Sequence, residues 1–236
     1  MLRIVQPRAL PVSTLYAIDQ FVLKGGRAMI FVDPVADVDP ASTEGMPQGM
    51  PPMGQGSDLP TLFDAWGITF SATEVVADAE LALQISGMDR RPVRHYGYVG
   101  VTGDRMSTDD IITADLNVVH LATAGHFGLA ENSDATLDPL LRSSPVSQTM
   151  PATRFSFLPD PTSLQDGFAP SGEEYVLAAR ISGPLASAFP GGPPPDGVSS
   201  AEGDSPPPRN ADEHLDTSVE PANLIVVGDV DMLADN

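Results

Sequence analysis

The stretch STLYAIDQFVLKGGRAMIFVDP, residues 13–34, decides the predicted fold class of this chain. Apolar residues recur in its first half at helical spacing and predict one apolar helix face, formed by Leu15, Ile18, Phe21 and Val22. Ser13 or Thr14 is suited to cap the start of this helix. Gly25 or Gly26 is suited to end it, because glycine adopts left-handed backbone without strain.

Two strands flank the predicted helix. Residues 2–5 form a short apolar run, and RAMIFVDP, residues 27–34, is a longer one that Pro34 is expected to stop. Continuous apolar runs are typical of strands buried on both faces, and a strand–helix–strand order builds a parallel sheet. The sequence therefore predicts an α/β fold.

A second helix and several short strands are expected further along the chain. In SDLPTLFDAWGI, residues 57–68, Ser57 is the expected N-cap, Pro60 lies in the first turn and Gly67 ends the helix. Trp66 lies on its apolar face and is expected in the core. Strands are expected at residues 68–70, 74–77, 94–101, 116–122, 174–181 and 223–228, and a short helix end or turn at PLLRSSP, residues 139–145.

The chain reads as a single soluble domain over residues 1–236, interrupted by two long insertions. Residues 35–56 form a Gly/Pro/Met-rich loop, and residues 189–221 form a Pro/Gly/acidic tract with little to bury, which we expect to be a mobile loop. The first strand starts beside Met1, and the last ends near the final residue. We therefore expect a piece excised from a longer, membrane-anchored protein.

The charge balance restricts the partners that the chain can bind. It has 32 acidic and 12 basic residues among 236, a formal net charge of −20. Nucleic acids and anionic lipid surfaces need a basic face, so both are disfavoured as partners. No run of residues is long and apolar enough to be a membrane span, and no signal-peptide pattern is present.

Four blocks appear in a fixed order between variable loops: residues 13–34, residues 57–68, PLLRSSP, and NLIVVGDVDMLAD at residues 223–235. Together they resemble the auxiliary component of the gliding-motility-type ABC transport system, the GldG-like family. The resemblance implies a Rossmann-like or flavodoxin-like sheet, similar to class I glutamine amidotransferases. It also implies an accessory role beside an ABC permease and ATPase, on the periplasmic side of the bacterial inner membrane, with membrane anchors outside residues 1–236.

The usual enzymatic signatures of such folds are missing from the sequence. The chain has no cysteine, which excludes the amidotransferase nucleophile. It contains no G-x-S-x-G elbow, no G-x-G-x-x-G loop and no Walker A loop. We therefore expect a non-enzymatic protein without a cofactor, and we assign no catalytic residue.

Three carboxylates are the candidate ligand-binding residues. Asp33 ends one predicted strand, Asp229 follows another, and Asp231 lies two residues beyond it. In a parallel sheet the carboxyl ends of the strands form the usual ligand crevice, where these side chains would bind a divalent cation or a sugar hydroxyl. The alternative is that they cap helices and close turns, as Asp does after many strands.

Other patterns are weaker candidates for metal sites. Three methionines in the first insertion suit Cu(I), although an ordinary insertion gives the same pattern: Met46, Met50 and Met53. The four histidines show no zinc spacing, and only two of them, which flank an ATAG turn, are candidates for a shared site: His120 and His126. Asp109 and Asp110 are expected to be an N-cap or turn pair.

Three functions follow from these observations. The favoured one is a non-enzymatic accessory domain that binds a partner or cargo for the permease. One alternative is a carbohydrate- or divalent-metal-binding module that uses Asp33, Asp229 and Asp231. The other is a hydrolase that depends on paired carboxylates, whose required separation no sequence can reveal.

Overall fold

A computed structural model describes most of the chain, over residues 1–36, 55–87, 90–155, 160–195 and 214–234. Its first elements are strand β1 (Leu2–Val5), helix α1 (Val12–Leu23) and strand β2 (Ala28–Phe31). Strands β1 and β2 pair in parallel, with Ile4 opposite Ile30. The strand–helix–strand unit predicted around residues 13–34 is confirmed.

One further helix and twelve further strands follow in the described residues. They are β3 (Asp33–Ala36), β4 (Gln55–Ser57), α2 (Pro60–Trp66), β5 (Ile68–Phe70), β6 (Glu74–Asp78), β7 (Ala82–Ser86), β8 (Pro92–Thr102), β9 (Val118–Ala122), β10 (Phe127–Leu129), β11 (Thr136–Arg142), β12 (Ser147–Pro151), β13 (Val176–Gly183) and β14 (Ala222–Val227). Short 3₁₀ turns, among them Asp231–Leu233, complete the described elements.

The main sheet has seven strands in the order β1-β2-β14-β13-β10-β5, with β11 also paired to β13. Its first three strands are parallel, and the remaining pairs are antiparallel. Strands β7, β8 and β9 form a separate three-stranded sheet, and β6–β12 and β3–β4 are two-stranded pairs.

The two faces of the main sheet are covered by different kinds of element. One face packs against α1 and α2, in a core that contains Val22, Leu62 and Trp66. The other face packs against the three-stranded sheet, through contacts that include Val99, Val101 and Ile225. The molecule therefore has three layers: helices, the main sheet and a small sheet.

The α/β class is confirmed, but a flavodoxin-like arrangement is not. A doubly wound sheet is parallel and carries helices on both faces. Here only β1, β2 and β14 are parallel, and a β-sheet replaces the helices on one face. The physical reason is that no α-helix follows α2 in the described residues, so the crossover connection that parallel neighbours need is missing there.

The prediction of a helix end or turn at residues 139–145 was wrong. Pro139 to Arg142 belong to β11, and both Leu140 and Leu141 are buried against the small sheet. The pairing with β13 shifts its register beside Pro139, and such a bulge accommodates a residue that has no amide hydrogen.

The predicted helix caps were also wrong, whereas the predicted glycine terminators were correct. Helix α1 begins at Val12, and α2 begins at Pro60 without a side-chain cap. Ser57 instead accepts a hydrogen bond from the Asp33 amide. Gly25 and Gly67 have the expected positive φ values, +84° and +69°. Pro34 does not stop a strand but lies within β3.

Two buried residues of α1, Asp19 and Gln20, attach the two sides of the second insertion to the helix layer. The Asp19 carboxylate accepts hydrogen bonds from four donors: Trp66 Nε1, Gln20 Nε2, Ser187 Oγ and the Ala188 amide. Gln20 bonds the backbone of Leu215 in both directions. Both stems of the tract that begins at residue 189 are thus attached to α1, while residues 196–213 lie outside the described residues.

Candidate functional site

The three candidate carboxylates meet at one end of the main sheet. Strands β2 and β14 are parallel neighbours, with Phe31 opposite Val227. Asp33 follows β2 after one residue, and Asp229 and Asp231 follow β14. Because parallel strands end at the same sheet edge, the three side chains are brought together from positions about 200 residues apart in sequence.

The cluster is compact and buried. One carboxylate oxygen from each of Asp33, Asp229 and Asp231 lies within 4.8 Å of the other two. Asp33 and Asp229 have no exposed surface, and Asp231 is 6 % exposed. We refer to these three residues as the aspartate triad. Within the described parts of the chain, no other group of three or more His, Asp or Glu residues has metal-binding geometry.

Asp33 connects the ends of two neighbouring strands. Its Oδ1 accepts a hydrogen bond from the Val35 amide at 2.7 Å, and its Oδ2 accepts one from the Val230 amide at 2.8 Å. These bonds close a local turn and also hold the loop after β14 against the end of β2. The turn-closing role that the sequence left open is therefore present.

Asp229 connects the main sheet to the small sheet. Its Oδ2 accepts a hydrogen bond from the Ala122 amide at 2.6 Å, and its Oδ1 accepts one from the Met232 amide at 3.1 Å. Ala122 is the last residue of β9. The same carboxylate therefore touches the small sheet and the final 3₁₀ turn.

A close approach of two glycines shapes the same edge. The Gly125 amide donates to the Gly228 carbonyl at 2.8 Å. A Cβ atom on Gly228 would lie 2.5 Å from the Gly125 carbonyl oxygen, which is too close for any side chain. The residue before Asp229 must therefore be glycine for this loop to approach β14 as it does.

Burial and the charges of neighbouring carboxylates both raise the pKa values of Asp33 and Asp229. Burial raises the pKa of Asp229 to about 7, with a smaller contribution from the nearby charge of Asp231, although amide hydrogen bonds act in the opposite direction. Burial, followed by the charge of Asp229, raises the pKa of Asp33 well above its usual range. Shared protons or a bound cation would relieve the repulsion among carboxyl groups this close together.

Two other buried aspartates differ from the triad in their surroundings. Asp19 accepts four hydrogen bonds, and so does Asp78, from the amides of Glu80, Leu81 and Ser144 and from the Ser144 hydroxyl. Four hydrogen-bond donors are enough to satisfy an isolated buried carboxylate. Asp19 and Asp78 are therefore structural, whereas the triad places three acidic groups in one site.

The sequence analysis did not identify Asp19 or Asp78. Asp19 lies between two apolar stretches of α1, and its donors Ser187 and Ala188 are 168 and 169 residues away. No local pattern indicates such a contact. The only available signal is an acidic residue next to Ile18 on the predicted buried face of the helix.

The other candidates that fall within the described residues are not gathered into sites. His120 is exposed on β9, and His126 is partly buried before β10, where burial lowers its pKa. His95 is buried on β8, and His214 stacks on Tyr16 of α1. Trp66 is buried in the core, as predicted. Met46, Met50 and Met53 lie outside the described residues.

Asp109 and Asp110 have different surroundings: Asp109 faces solvent, and Asp110 forms an ion pair. Asp110 makes two hydrogen bonds with the Arg180 guanidinium, at 2.6 and 2.9 Å, and this contact lowers the pKa of Asp110. Asp109 is exposed. As predicted, Asp110 closes a turn, because it also accepts a hydrogen bond from the Ile112 amide.

Comparison with known proteins gives one match. The family model described as ABC-type uncharacterized transport system matches residues 1–236. No curated protein and no solved structure matches the chain. Among the described helices, none has the length and apolar character needed to cross a membrane. Because the family model covers every residue, the chain belongs to the ABC-type uncharacterized transport system family.

Proposed function

We propose that this chain is a non-enzymatic accessory domain of an ABC transport system, which binds a partner or cargo and couples it to the permease. The observation that carries this proposal is the family match over residues 1–236. The resemblance to the GldG-like family supports a position on the periplasmic side of the inner membrane. In the proposal, segments outside residues 1–236 anchor the domain, and a separate subunit hydrolyses ATP.

The triad end of the main sheet is the proposed ligand-facing edge. Ligands of open α/β sheets bind beside the carboxyl ends of parallel strands, and β2 and β14 end there. The loops after both strands are held by Asp33 and Asp229. Movement at this edge would therefore be transmitted directly to the small sheet through Ala122.

Burial of the triad argues against carboxylate-dependent hydrolysis. A general acid or nucleophile must touch the bond that breaks. Asp33 and Asp229 have no exposed surface, so a sugar or peptide cannot reach their oxygens in this conformation. The same argument makes a sugar hydroxyl a poorer ligand for the triad than a small ion.

Co-purification tests the accessory role. The full-length parent protein is expressed with its neighbouring permease and ATPase, extracted gently from the membrane and passed over a sizing column. Elution of all three as one complex is the expected result. Separation of the three proteins, with this domain at its monomer mass, would contradict the proposal and favour an independent binding module.

A divalent-cation module is the second candidate, and the geometry of the triad favours it. Three carboxylate oxygens within 4.8 Å of one another match the oxygen ligands that Ca²⁺, Mg²⁺ and Mn²⁺ prefer. A cation there would neutralise the mutual repulsion that raises the pKa values of Asp33 and Asp229. It would also strengthen the connection between the two sheets.

Thermal unfolding with and without metal tests the second candidate. Chain treated with EDTA is titrated with Ca²⁺, Mg²⁺ or Mn²⁺ at pH 8, and a saturable rise in Tm is expected for at least one ion. Asp33→Asn and Asp229→Asn should abolish the rise, whereas Glu131→Gln, an exposed carboxylate elsewhere, should keep it. An unchanged Tm with all three ions would exclude the cation module.

A further inference from the structure

Several large apolar side chains are exposed in one short segment, residues 111–118, that leads into β9. Ile111 is 88 % exposed, Leu116 is 46 % exposed and Val118 is 45 % exposed. Single exposed apolar residues are common, but a concentration of them over eight residues indicates a contact surface.

Hydrogen bonds made by the side chains of Asp110 and Thr113 anchor this segment to the rest of the protein. The Asp110 carboxylate binds the Arg180 guanidinium of β13 with two hydrogen bonds. Thr113 is buried and donates to the Ser107 carbonyl at 2.7 Å. Ile111 is therefore presented outward by an anchored turn, so little conformational entropy is lost when a partner covers it.

A second exposed apolar segment lies at the other end of β9, the strand that begins at Val118. Met232 is 36 % exposed and Leu233 is 49 % exposed. The Asp229 carboxylate accepts hydrogen bonds from both the Met232 amide and the Ala122 amide, which places the 3₁₀ turn against the end of β9. We call the combined surface the apolar patch: Ile111, Leu116, Val118, Met232 and Leu233.

The apolar patch adjoins an open strand edge. The Ala122 amide faces away from β8, because it donates to Asp229, while the next amide, of Thr123, donates to Gly97. By alternation, the backbone groups of Val118 and His120 also face away from β8. In the described residues β9 pairs only with β8, so the part of this edge at Val118 and His120 can accept an added strand, whereas Asp229 occupies the edge at Ala122.

The charges around the apolar patch define its partner. Asp109 and Asp115, which lie close to Ile111 and Leu116 along the chain, are both exposed. An acidic rim repels a second copy of this chain, which carries a net charge of −20, and it repels anionic lipid. It attracts an apolar surface that is flanked by Lys or Arg.

We propose that the apolar patch and the β9 edge bind a neighbouring subunit of the transport system, through an extended apolar segment flanked by Lys or Arg. This inference rests on the proposed accessory function and adds to it the surface and the chemistry of the partner. It also places the partner near the triad, since Asp229 holds the turn that carries Met232 against the end of β9.

The test uses the full-length parent protein co-purified with its permease and ATPase. Ile111→Glu combined with Leu116→Glu should reduce co-elution at least tenfold, because both side chains are exposed and the new charges oppose burial. The matched control is Val219→Glu, since Val219 is 61 % exposed outside the apolar patch. Unchanged Tm values show that all variants fold.

The outcomes separate the two proposals. Loss of the complex in the double variant, with the control intact, supports the surface assignment. An intact complex in the double variant overturns the surface assignment and leaves the accessory function standing. Absence of a complex for the unmodified protein overturns both. A second experiment measures how strongly co-elution depends on salt concentration. Asp109→Lys combined with Asp115→Lys should weaken the complex and reduce this dependence. An unchanged dependence would contradict a partner segment flanked by Lys or Arg.

Discussion

The carboxylate of Asp229 lies 2.6 Å from the amide of Ala122 and joins the end of β14 in the main sheet to the end of β9 in the small sheet. Asp229 is fully buried, and two other acidic groups lie beside it. The hydrogen bond that Asp229 makes between the two sheets therefore depends on the protonation state of this cluster.

The stability of the metal-free chain should depend on pH through Asp229. Its pKa is about 7 when folded and 3.8 in its ordinary state, so the folded chain binds more protons between these values. Asp229 therefore contributes stability that is full below pH 4 and is lost as the pH rises through 7.

Comparison of the wild type with Asp229→Asn isolates the contribution of Asp229 to the pH dependence of stability. Between pH 5 and pH 8 in EDTA, the free energy of unfolding of the wild type relative to Asp229→Asn should fall by about 2–3 kcal/mol. Urea unfolding at the two pH values measures it. A difference that stays constant would show that Asp229 does not titrate in this range.

Loss of the Asp19 carboxylate should strongly destabilise the helix layer. Asp19→Ala removes the acceptor of four hydrogen bonds, among them those from Trp66 Nε1 and Ser187 Oγ. We expect a loss of about 3–5 kcal/mol in the free energy of unfolding, measured by urea denaturation with Trp66 fluorescence. Asp64→Ala, at an exposed position of α2, should change it by less than about 0.5 kcal/mol. Equal effects of the two substitutions would contradict the assignment.

A methyl group at Gly228 should disrupt the triad edge. The new Cβ would lie 2.5 Å from the Gly125 carbonyl oxygen. The backbone fixes the positions of both atoms, so neither can rotate away. Gly228→Ala should cost about 1–3 kcal/mol and perturb the Asp229–Ala122 contact. Hydrogen exchange of the Ala122 amide measures the second effect. Gly191→Ala is the control, because its Cβ would meet nothing within 4 Å. Slow Ala122 exchange in Gly228→Ala would refute the coupling.

Buried His95 should make the chain sensitive to acid. Burial lowers its pKa to about 4 from an ordinary value of 6.5, so the unfolded chain binds more protons between these values. The stability associated with neutral His95 is therefore present above pH 6.5 and is lost as the pH falls toward 4.

Replacement of His95 by phenylalanine removes this sensitivity and keeps a ring beside Tyr98, whose centroid lies 3.9 Å from that of His95. Between pH 7 and pH 5, the wild type should lose about 2 kcal/mol more stability than His95→Phe does. His120→Phe, at an exposed position of the same sheet, should behave like the wild type. Parallel acid curves for wild type and His95→Phe would contradict a buried neutral histidine.

The local elements near the start of the chain could be predicted because their signals are local. Periodic apolar residues identified α1, and an apolar run identified β2. Gly25 and Gly67 ended their helices as expected. The caps could not be predicted, since the Ser57 hydroxyl interacts with Asp33 and Gln6, which are distant in sequence. Residues 139–142 form a buried strand, but the proline at 139 and the serines after 142 are typical of a turn. The strand could not be predicted because its partner, β13, lies more than 30 residues further along the chain.

The sequence alone determined the α/β class, the parallel pairing of β1 with β2 and the three aspartates that follow β2 and β14. Strand-end aspartates can be identified because apolar runs mark where strands stop. Only the tertiary structure decided that a small β-sheet covers one face of the main sheet, and that Asp229 reaches Ala122 across the two sheets. It also decided that the triad is buried, since burial depends on what the distant segments pack against rather than on local pattern.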